Sequence, residues 1–417
     1  MYRGAYPIYL IMSACTSLFG AMIFTVNLVY QTETIGLNPL QLVLVGTTLE
    51  AVYFLAQVPT GVLADAYSRR WSVVIGMVLI GAGFMLEGAV PRFWAVLLAQ
   101  VVWGTGAAFT DGADAAWLAD EIGEANSGRA YLRAAQIGSA AGLVGIGAGV
   151  ALASVRLNLP VFIGGLLYVL LGIFLLLRMP EHNFRPRPRE ERTTWQHMEH
   201  TLRAGVRIVR GRPVLWTILG IGACFGMFTE GFDRLWQYHF LHNLSFPAIG
   251  HVQPVVWFGL IAAGLMPLNI GAAELARRRI DTSGHHSVAR ALFAMDAILI
   301  ASVVALGLAG NFALALGAYW TASLMRGTRQ PLTVAWMNQN IEAGVRATVL
   351  SLGNQVDAIG QVVGGPVIGL IATAFSTRVS LVASAALLAP VLFLYAHTLR
   401  RHLPEPDVVA VPEIAQQ

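Results

Sequence analysis

The sequence predicts an all-α membrane protein, with twelve transmembrane helices in two six-helix, pseudo-symmetric halves. Three observations carry this expectation. Of 417 residues, 56% are hydrophobic and only 12% charged, about half the roughly 25% charged residues of a soluble globular domain. Apolar runs of the ~20 residues that span a bilayer recur along the chain, and in lipid such runs must be helical because their backbone groups find no water. One long connection rich in arginine and proline, residues 178–212, divides these runs six and six.

Runs bounded by charge, proline or polar clusters place helices at 7–30, 39–64, 71–90, 92–120, 128–154, 158–178, 213–241, 249–274, 289–309, 311–340, 346–374 and 377–400. The first run is long enough to be a span and lacks the basic region and small-residue cleavage site of a signal peptide. Arginine placement tests the count. With the N-terminus inside, the inner segments hold Arg3, Arg69, Arg70, Arg129, Arg133, the group from Arg178 to Arg212, Arg277, Arg278, Arg279, Arg290, Arg346, Arg400 and Arg401, whereas the outer connections hold Arg92, Arg156 and Arg378. This is the positive-inside bias of an integral cytoplasmic (inner) membrane protein with both termini cytoplasmic. Within the long connection, Met198, Leu202, Val206 and Val209 recur at helical spacing among basic residues, as in an amphipathic helix on the membrane surface. The expected organisation is residues 1–178 as the N-terminal half, 179–212 as a cytoplasmic linker, 213–402 as the C-terminal half and 403–417 as a cytoplasmic tail.

Composition also excludes several functions. Cys15 and Cys224 both lie in apolar runs, so neither a disulfide framework nor a zinc cluster is expected. The net charge of +4 comes from arginine, with no lysine anywhere, and reads as membrane topology rather than a nucleic-acid surface. His285 and His286, in the loop expected after the eighth run, are weak grounds for a metal. No Walker-type glycine loop and no nucleophile–base–acid constellation stands out, so the reading is a non-enzyme without cofactor or metal.

Residues 61–70, GVLADAYSRR, fall between the second and third runs on the inner side. Gly61, Asp65, Arg69 and Arg70 resemble the loop signature of the major facilitator superfamily, with Ala66 and Ser68 departing from it. Gly61 permits close helix approach, Asp65 can sit near a helix N-terminus where the dipole favours an anion, and Arg69 can pair with Asp120 at the inner end of span four; the alternative is that Arg69 and Arg70 only anchor the loop. The resemblance implies the major facilitator fold, alternating access and spans one, four, seven and ten lining a central cavity. Its drug:proton antiporter branch fits less closely: Gln100 stands where that branch carries an arginine before Gly104. The glycine series of span five (Gly138, Gly142, Gly145, Gly147, Gly149) lacks the proline found in span eleven, at Gly364, Gly365 and Pro366.

Ionisable residues inside spans mark functional candidates, because burying them in a membrane is costly. They are Glu50, Glu87, Asp111, Asp114, Glu230, Asp233, Arg234, Asp296, Arg326, Arg329 and Asp357. Asp111 and Asp114 are three apart and predicted to share a face of span four. Arg326 and Arg329 stand likewise at matching depth in span ten. Two readings follow: an ion-paired gate across the cavity, or pairing of each carboxylate within its own half, for instance with Arg129 or Arg133. Span seven adds Glu230, Asp233 and Arg234, followed by Trp236, Gln237, Tyr238 and His239. These read either as an aromatic wall for an amphipathic, cationic substrate or as an interfacial aromatic belt. Glu50 and Asp357 are candidate proton carriers or, equally, neutral acids bonding helix to helix.

The resemblance and these charges together imply a monomeric secondary transporter that exports drug-like or metabolite molecules in exchange for protons. The alternatives are a carrier of the same fold that imports a nutrient or moves a lipid-like solute, and, from a different class, a membrane-embedded enzyme or receptor.

Overall fold

The computed structural model describes residues 4–186, 213–247, 252–281, 284–340 and 346–400, and all regular structure among them is helical. Twelve membrane-length helices follow one another: α1 Ala5–Thr34, α2 Pro39–Ala66, α3 Arg69–Ala89, α4 Phe93–Ile122, α5 Glu124–Ala153, α6 Leu159–Arg178, α7 Pro213–Asn243, α8 Pro254–Arg279, α9 His285–Leu308, α10 Phe312–Asn340, α11 Arg346–Ala374 and α12 Thr377–Arg400. Among the described residues, ten contain a stretch long and apolar enough to cross a membrane. The other two are α7 and α10, which carry Glu230, Asp233 and Arg234, and Arg326 and Arg329. His285 and His286 open α9 rather than sitting in a loop. The amphipathic segment Trp195 to Arg210 and the tail 403–417 lie outside the described residues.

Local sequence explains the starts. Asn38 accepts from the Gln41 backbone N–H while the Gln41 side chain accepts from that of Asn38, a capping box ahead of Pro39. Ser68 and Ser376 cap α3 and α12 through the backbone N–H groups of Trp71 and Val379. Three helices are interrupted. α1 loses regularity at Thr25 and Val26 and continues through a π turn, Tyr30–Thr34. α12 breaks at Ala389, before Pro390. α4 breaks between Phe93–Thr110 and Ala113–Ile122, where Asp111 is extended and Gly112 takes φ 71°, which only glycine adopts freely. This corrects the expectation of one continuous face bearing Asp111 and Asp114.

Packing repeats from half to half. α1 lies along α5 as α7 lies along α11; α3 meets α6 as α9 meets α12; α2 meets α4 as α8 meets α10. Each half has its own apolar core, one around Phe84, Trp117 and Tyr168, the other around Phe228, Phe258 and Tyr395. The glycine series of spans five and eleven is the flat surface of these repeats. A Cβ on Gly145 would stand 2.2 Å from the Leu18 carbonyl oxygen, and one on Gly360 2.7 Å from that of Ala223. Small residues let membrane helices approach this closely where hydrophobic force between helices is weak. The pattern that sequence reading set against an exporter signature is therefore helix packing in both halves.

Gly145→Leu should lower the melting temperature of the detergent-solubilised protein, since overpacking a tight contact costs about 1–3 kcal/mol. Gly147→Leu, with nothing within 4 Å of its Cβ direction, should leave it unchanged.

Candidate functional site

α1 begins and α12 ends on one face of the bundle, the terminal face; the other is the far face. Odd-numbered helices start at the terminal face and even-numbered ones end there. The halves meet toward the far face. The start of α2 packs on the end of α11: a Cβ on Gly369 would stand 3.1 Å from Leu40 and one on Gly365 2.8 Å from the Thr47 hydroxyl, and Leu40 N–H donates to the Thr373 hydroxyl at 3.1 Å. The pseudo-equivalent contact sets the start of α8 on the end of α5, with Gly259 against Val150. Toward the terminal face the same helices turn to partners in their own halves, α2 to α4 and α11 to α7. Among the described residues, the closest contacts between the halves therefore lie toward the far face.

Glu230 and Arg234 of α7 lie at the crossing of the halves, their side chains 3.5 Å apart. A Cβ on Gly46 of α2 would be 1.9 Å from the Glu230 carboxylate and 2.4 Å from Arg234 Nε. Gly46 is thus the slot through which a charged pair of one half presses on the other. Glu50, one turn further along α2, is half-buried and within electrostatic reach of Arg234, Asp233 and Asp357.

Deeper toward the terminal face, the two halves handle charge differently. In the N-terminal half, Asp111 is exposed to the cavity and accepts from the Tyr53 hydroxyl, in a very short contact, and from Gln57 Nε2 at 3.3 Å. Asp114, beyond the helix break, is half-buried and takes the Ala115 backbone N–H at 2.7 Å. Asp111 and Asp114 line a pocket of about 420 Å³ with Thr16, Tyr53 and Tyr168. In the C-terminal half, Arg326 binds Asp233 through two N–H···O bonds, 2.5 and 3.0 Å, and its guanidinium lies over Phe232 at 5.1 Å. Arg329 meets Asp296 at 3.0 Å and stacks on Phe225 at 3.4 Å. Asp357 accepts from Gln361 at 2.8 Å and borders a cavity of about 290 Å³ with Arg329, Asn354 and Tyr395.

Arg326 and Arg329 are therefore paired inside their own half, with Asp233 and Asp296. Among the described residues, the expected pairs with Asp111 or Asp114 are not made, and Arg129 and Arg133 do not take their place. The aromatic run after Arg234 is neither cavity wall nor interfacial belt throughout: Trp236 stacks on Tyr319 at 3.9 Å and packs against Phe240 and Phe258 within the C-terminal half.

The GVLADAYSRR loop forms the cluster expected of it. Arg69 meets Asp120 at 2.6 Å and Asp65 at 3.6 Å. At the α3 N-terminus Glu181 accepts from the Ser68 hydroxyl at 2.6 Å and the Arg70 backbone N–H at 2.9 Å. Arg70 donates to the Leu176 carbonyl at 2.5 Å. Gly61 has open space around it rather than a close helix contact. Residues just after α6 are fastened to the same half: Trp117 Nε1 donates to the Pro180 carbonyl and Glu121 accepts from the His182 and Asn183 backbones.

Three residues were given no role by sequence reading. Glu181 stood in a stretch read as linker, and nothing local marked it. Asp296, fully buried, was visible as an intramembrane acid, and its pairing with Arg329 needed the third dimension. Glu87, also fully buried, is held by Gln31 Nε2 at 2.7 Å and Gln100 Nε2 at 3.2 Å. The signal was Gln100 itself, a polar residue in place of the branch's arginine.

Two pseudo-symmetric six-helix halves around a charged central cavity define a secondary transporter. The sequence profile described as Major Facilitator Superfamily matches residues 10–354, and the chain belongs to that superfamily. It is 22% identical over 371 residues, 85% of this chain and 86% of its relative, to the uncharacterised MFS-type transporter YxaM of Bacillus subtilis strain 168. Its fold is similar to that of the nucleoside transporter NupG (TM-score 0.74, 14% identity, 95% of this chain and 99% of that one). It is also similar to a bacterial homologue of the human lysosomal transporter Spinster (0.71, 15%, 95% and 96%) and to a peptide transporter, POT, in complex with sulfate (0.70, 14%, 95% and 94%).

Arg329→Leu should destabilise the solubilised protein strongly, because an orphaned buried carboxylate costs about 3–5 kcal/mol. Adding Asp296→Leu should recover most of the loss, measured by thermal unfolding; recovery in the double variant identifies the pair as structural.

Proposed function

We propose that this chain is a proton-coupled exporter of small organic molecules carrying a cationic group. Alternating access comes from rocking of residues 1–178 against 213–400, and the protein works as a monomer in a bacterial inner membrane. With both termini cytoplasmic, as the arginines at the terminal face favour, the conformation described above is the inward-open one.

The observation that carries this reading is Asp111. It is a cavity-exposed carboxylate held by a phenol and an amide, with no cation paired to it among the described residues. Such a group has two ways to balance its charge, a proton or a cationic solute, and competition between them is exchange of one for the other. Across the cavity, Arg326 and Asp233 present a closed ion pair, which offers no net charge to a solute. When the terminal face closes, α4 and α10 approach, and Arg326 can trade Asp233 for Asp111 or Asp114. Arg69, Arg70, Asp65 and Asp120 brace the inner ends of α2, α3 and α4 during that movement. Glu50, Glu230, Arg234 and Asp357 supply the charge at the far-face closure. A second reading, uptake, gains support from the nucleoside and peptide carriers among the similar folds.

In proteoliposomes, an outward proton gradient should drive cationic solute inward against its own gradient, and collapsing the gradient should stop it. Movement in the same direction as the protons would establish uptake instead. Asp111→Asn should reduce gradient-driven transport about 100-fold or more, the usual scale for losing a proton-transfer group, and should weaken binding of the cationic solute with it, so that solute-for-solute exchange falls as well. Arg69→Ala and Asp120→Ala should each slow both modes.

A further inference from the structure

The strongest feature that the transport reading leaves unused lies beside the cavity, within the N-terminal half toward its far face. α1 is interrupted there. Its regular helix ends at Phe24, Val26 departs from helical φ, and the chain resumes as a short turn, Asn27–Val29, and the π turn Tyr30–Thr34. The interruption brings Asn27 and Gln31 to Glu87 of α3. Gln31 donates to the Glu87 carboxylate at 2.7 Å and Gln100 of α4 at 3.2 Å, with the Asn27 amide facing the same carboxylate. Gln100 is itself held by Trp103 Nε1 at 2.9 Å, and the Glu87 backbone carbonyl by the Tyr30 hydroxyl at 3.0 Å.

Glu87 is 0% exposed, Gln31 0%, Gln100 2% and Asn27 6%. The Asn27 and Gln31 side-chain oxygens have no hydrogen-bond partner. The charged groups facing the cluster are few. Arg234 of α7 reaches Glu87 only through its field, since its contact is with Glu230; no cation touches the carboxylate among the described residues.

Two deficits therefore coincide: a buried negative charge without a contacting cation, and two buried amide oxygens without a donor. A proton on Glu87 offers one hydrogen and satisfies one acceptor. A small cation satisfies several oxygens at once. An amide presents oxygen in place of nitrogen by a half-turn of its end group, so Asn27 and Gln31, whose oxygens have no partner, can turn oxygen toward a cation that the carboxylate neutralises, while Gln100, its oxygen held by Trp103, fixes the carboxylate. Interrupted membrane helices supply such ligands in other carriers, because their freed polar groups must be satisfied inside the protein.

We propose that Glu87, Asn27, Gln31 and Gln100 form a binding site for a monovalent cation, sodium, separate from the cavity in which Asp111 exchanges protons for solute. The site ties α1, α3 and α4 together where the N-terminal half backs the far-face contact. It adds a sodium dependence to a carrier whose driving gradient is carried elsewhere. It does not rest on the proton-exchange reading, and the two fail independently.

The test uses full-length protein in detergent at constant ionic strength, with sodium chloride replacing choline or potassium chloride at pH 8. The site predicts a saturable, sodium-specific rise in melting temperature of about 2–4 °C. A sodium-dependent change in tryptophan emission should accompany it and be lost in Trp103→Phe. Glu87→Gln, which keeps the size and the hydrogen bonding, should abolish the rise, while Asp111→Asn retains it. Equal stability in all three salts, or the same sodium effect in Glu87→Gln, overturns the proposal. So does a shift that follows pH and ignores sodium, which assigns Glu87 to a proton. The emission change needs no Glu87 variant, so poor folding of Glu87→Gln leaves the proposal testable.

Discussion

Charge inside an apolar bundle must be compensated by protein, because no bulk water is there to do it. The rest of this structure is arranged around that constraint. The C-terminal half answers it with ion pairs, Asp233 with Arg326 and Asp296 with Arg329, each guanidinium also laid on a phenylalanine ring. The N-terminal half answers it with neutral donors: tyrosine and glutamine at Asp111, three amides at Glu87. The helices that bear these groups give up regular geometry or apolar character to do so. α1 and α4 break, and α10 is the least apolar of the membrane-length helices.

The same constraint positions the contact between halves. Glu230 and Arg234 press on α2 only because Gly46 has no side chain, and the Gly365 and Gly369 surface of α11 brings the start of α2 close enough to cover them. Closure at the far face is thus a charged contact inside a tight steric frame. At the terminal face the equivalent ionic cluster, Arg69 with Asp65 and Asp120, stays within one half. The two faces are therefore held by different means in this conformation.

Most of the architecture was legible in the sequence. Hydropathy and arginine placement locate all twelve helices within a few residues, because lipid leaves no alternative to a helix and charge marks the ends. The Arg69–Asp120 pair was legible too, since both residues sit at span ends that the topology forces together. What the sequence hid were partners set by rotation about helix axes. Matching depth made Asp111 and Arg326 look like partners, yet Asp233 lies on the adjacent helix of the same half and reaches Arg326 first. The break at Gly112 was equally hidden: a lone glycine in an apolar run reads as tolerated, and only its positive φ reveals that Asp111 and Asp114 belong to different helical segments. Glu87 was seen as a buried acid, but its amide partners come from two other helices, α1 and α4, and no local spacing links them to it.

Architecture repeats between the halves, while charge does not. The paired side chains of the C-terminal half are electrically near-neutral dipoles. Those of the N-terminal half, Glu50, Glu87, Asp111 and Asp114, have no arginine among them within the membrane. A membrane potential does work of about 2.3 kcal/mol on each unit charge carried through 100 mV, and it acts most on carboxylates that no arginine contacts among the described residues, most of which lie in the N-terminal half, with Asp357 in the other. The duplicated fold is alike in its packing and unlike in how it balances charge, so voltage pulls unequally on the two halves.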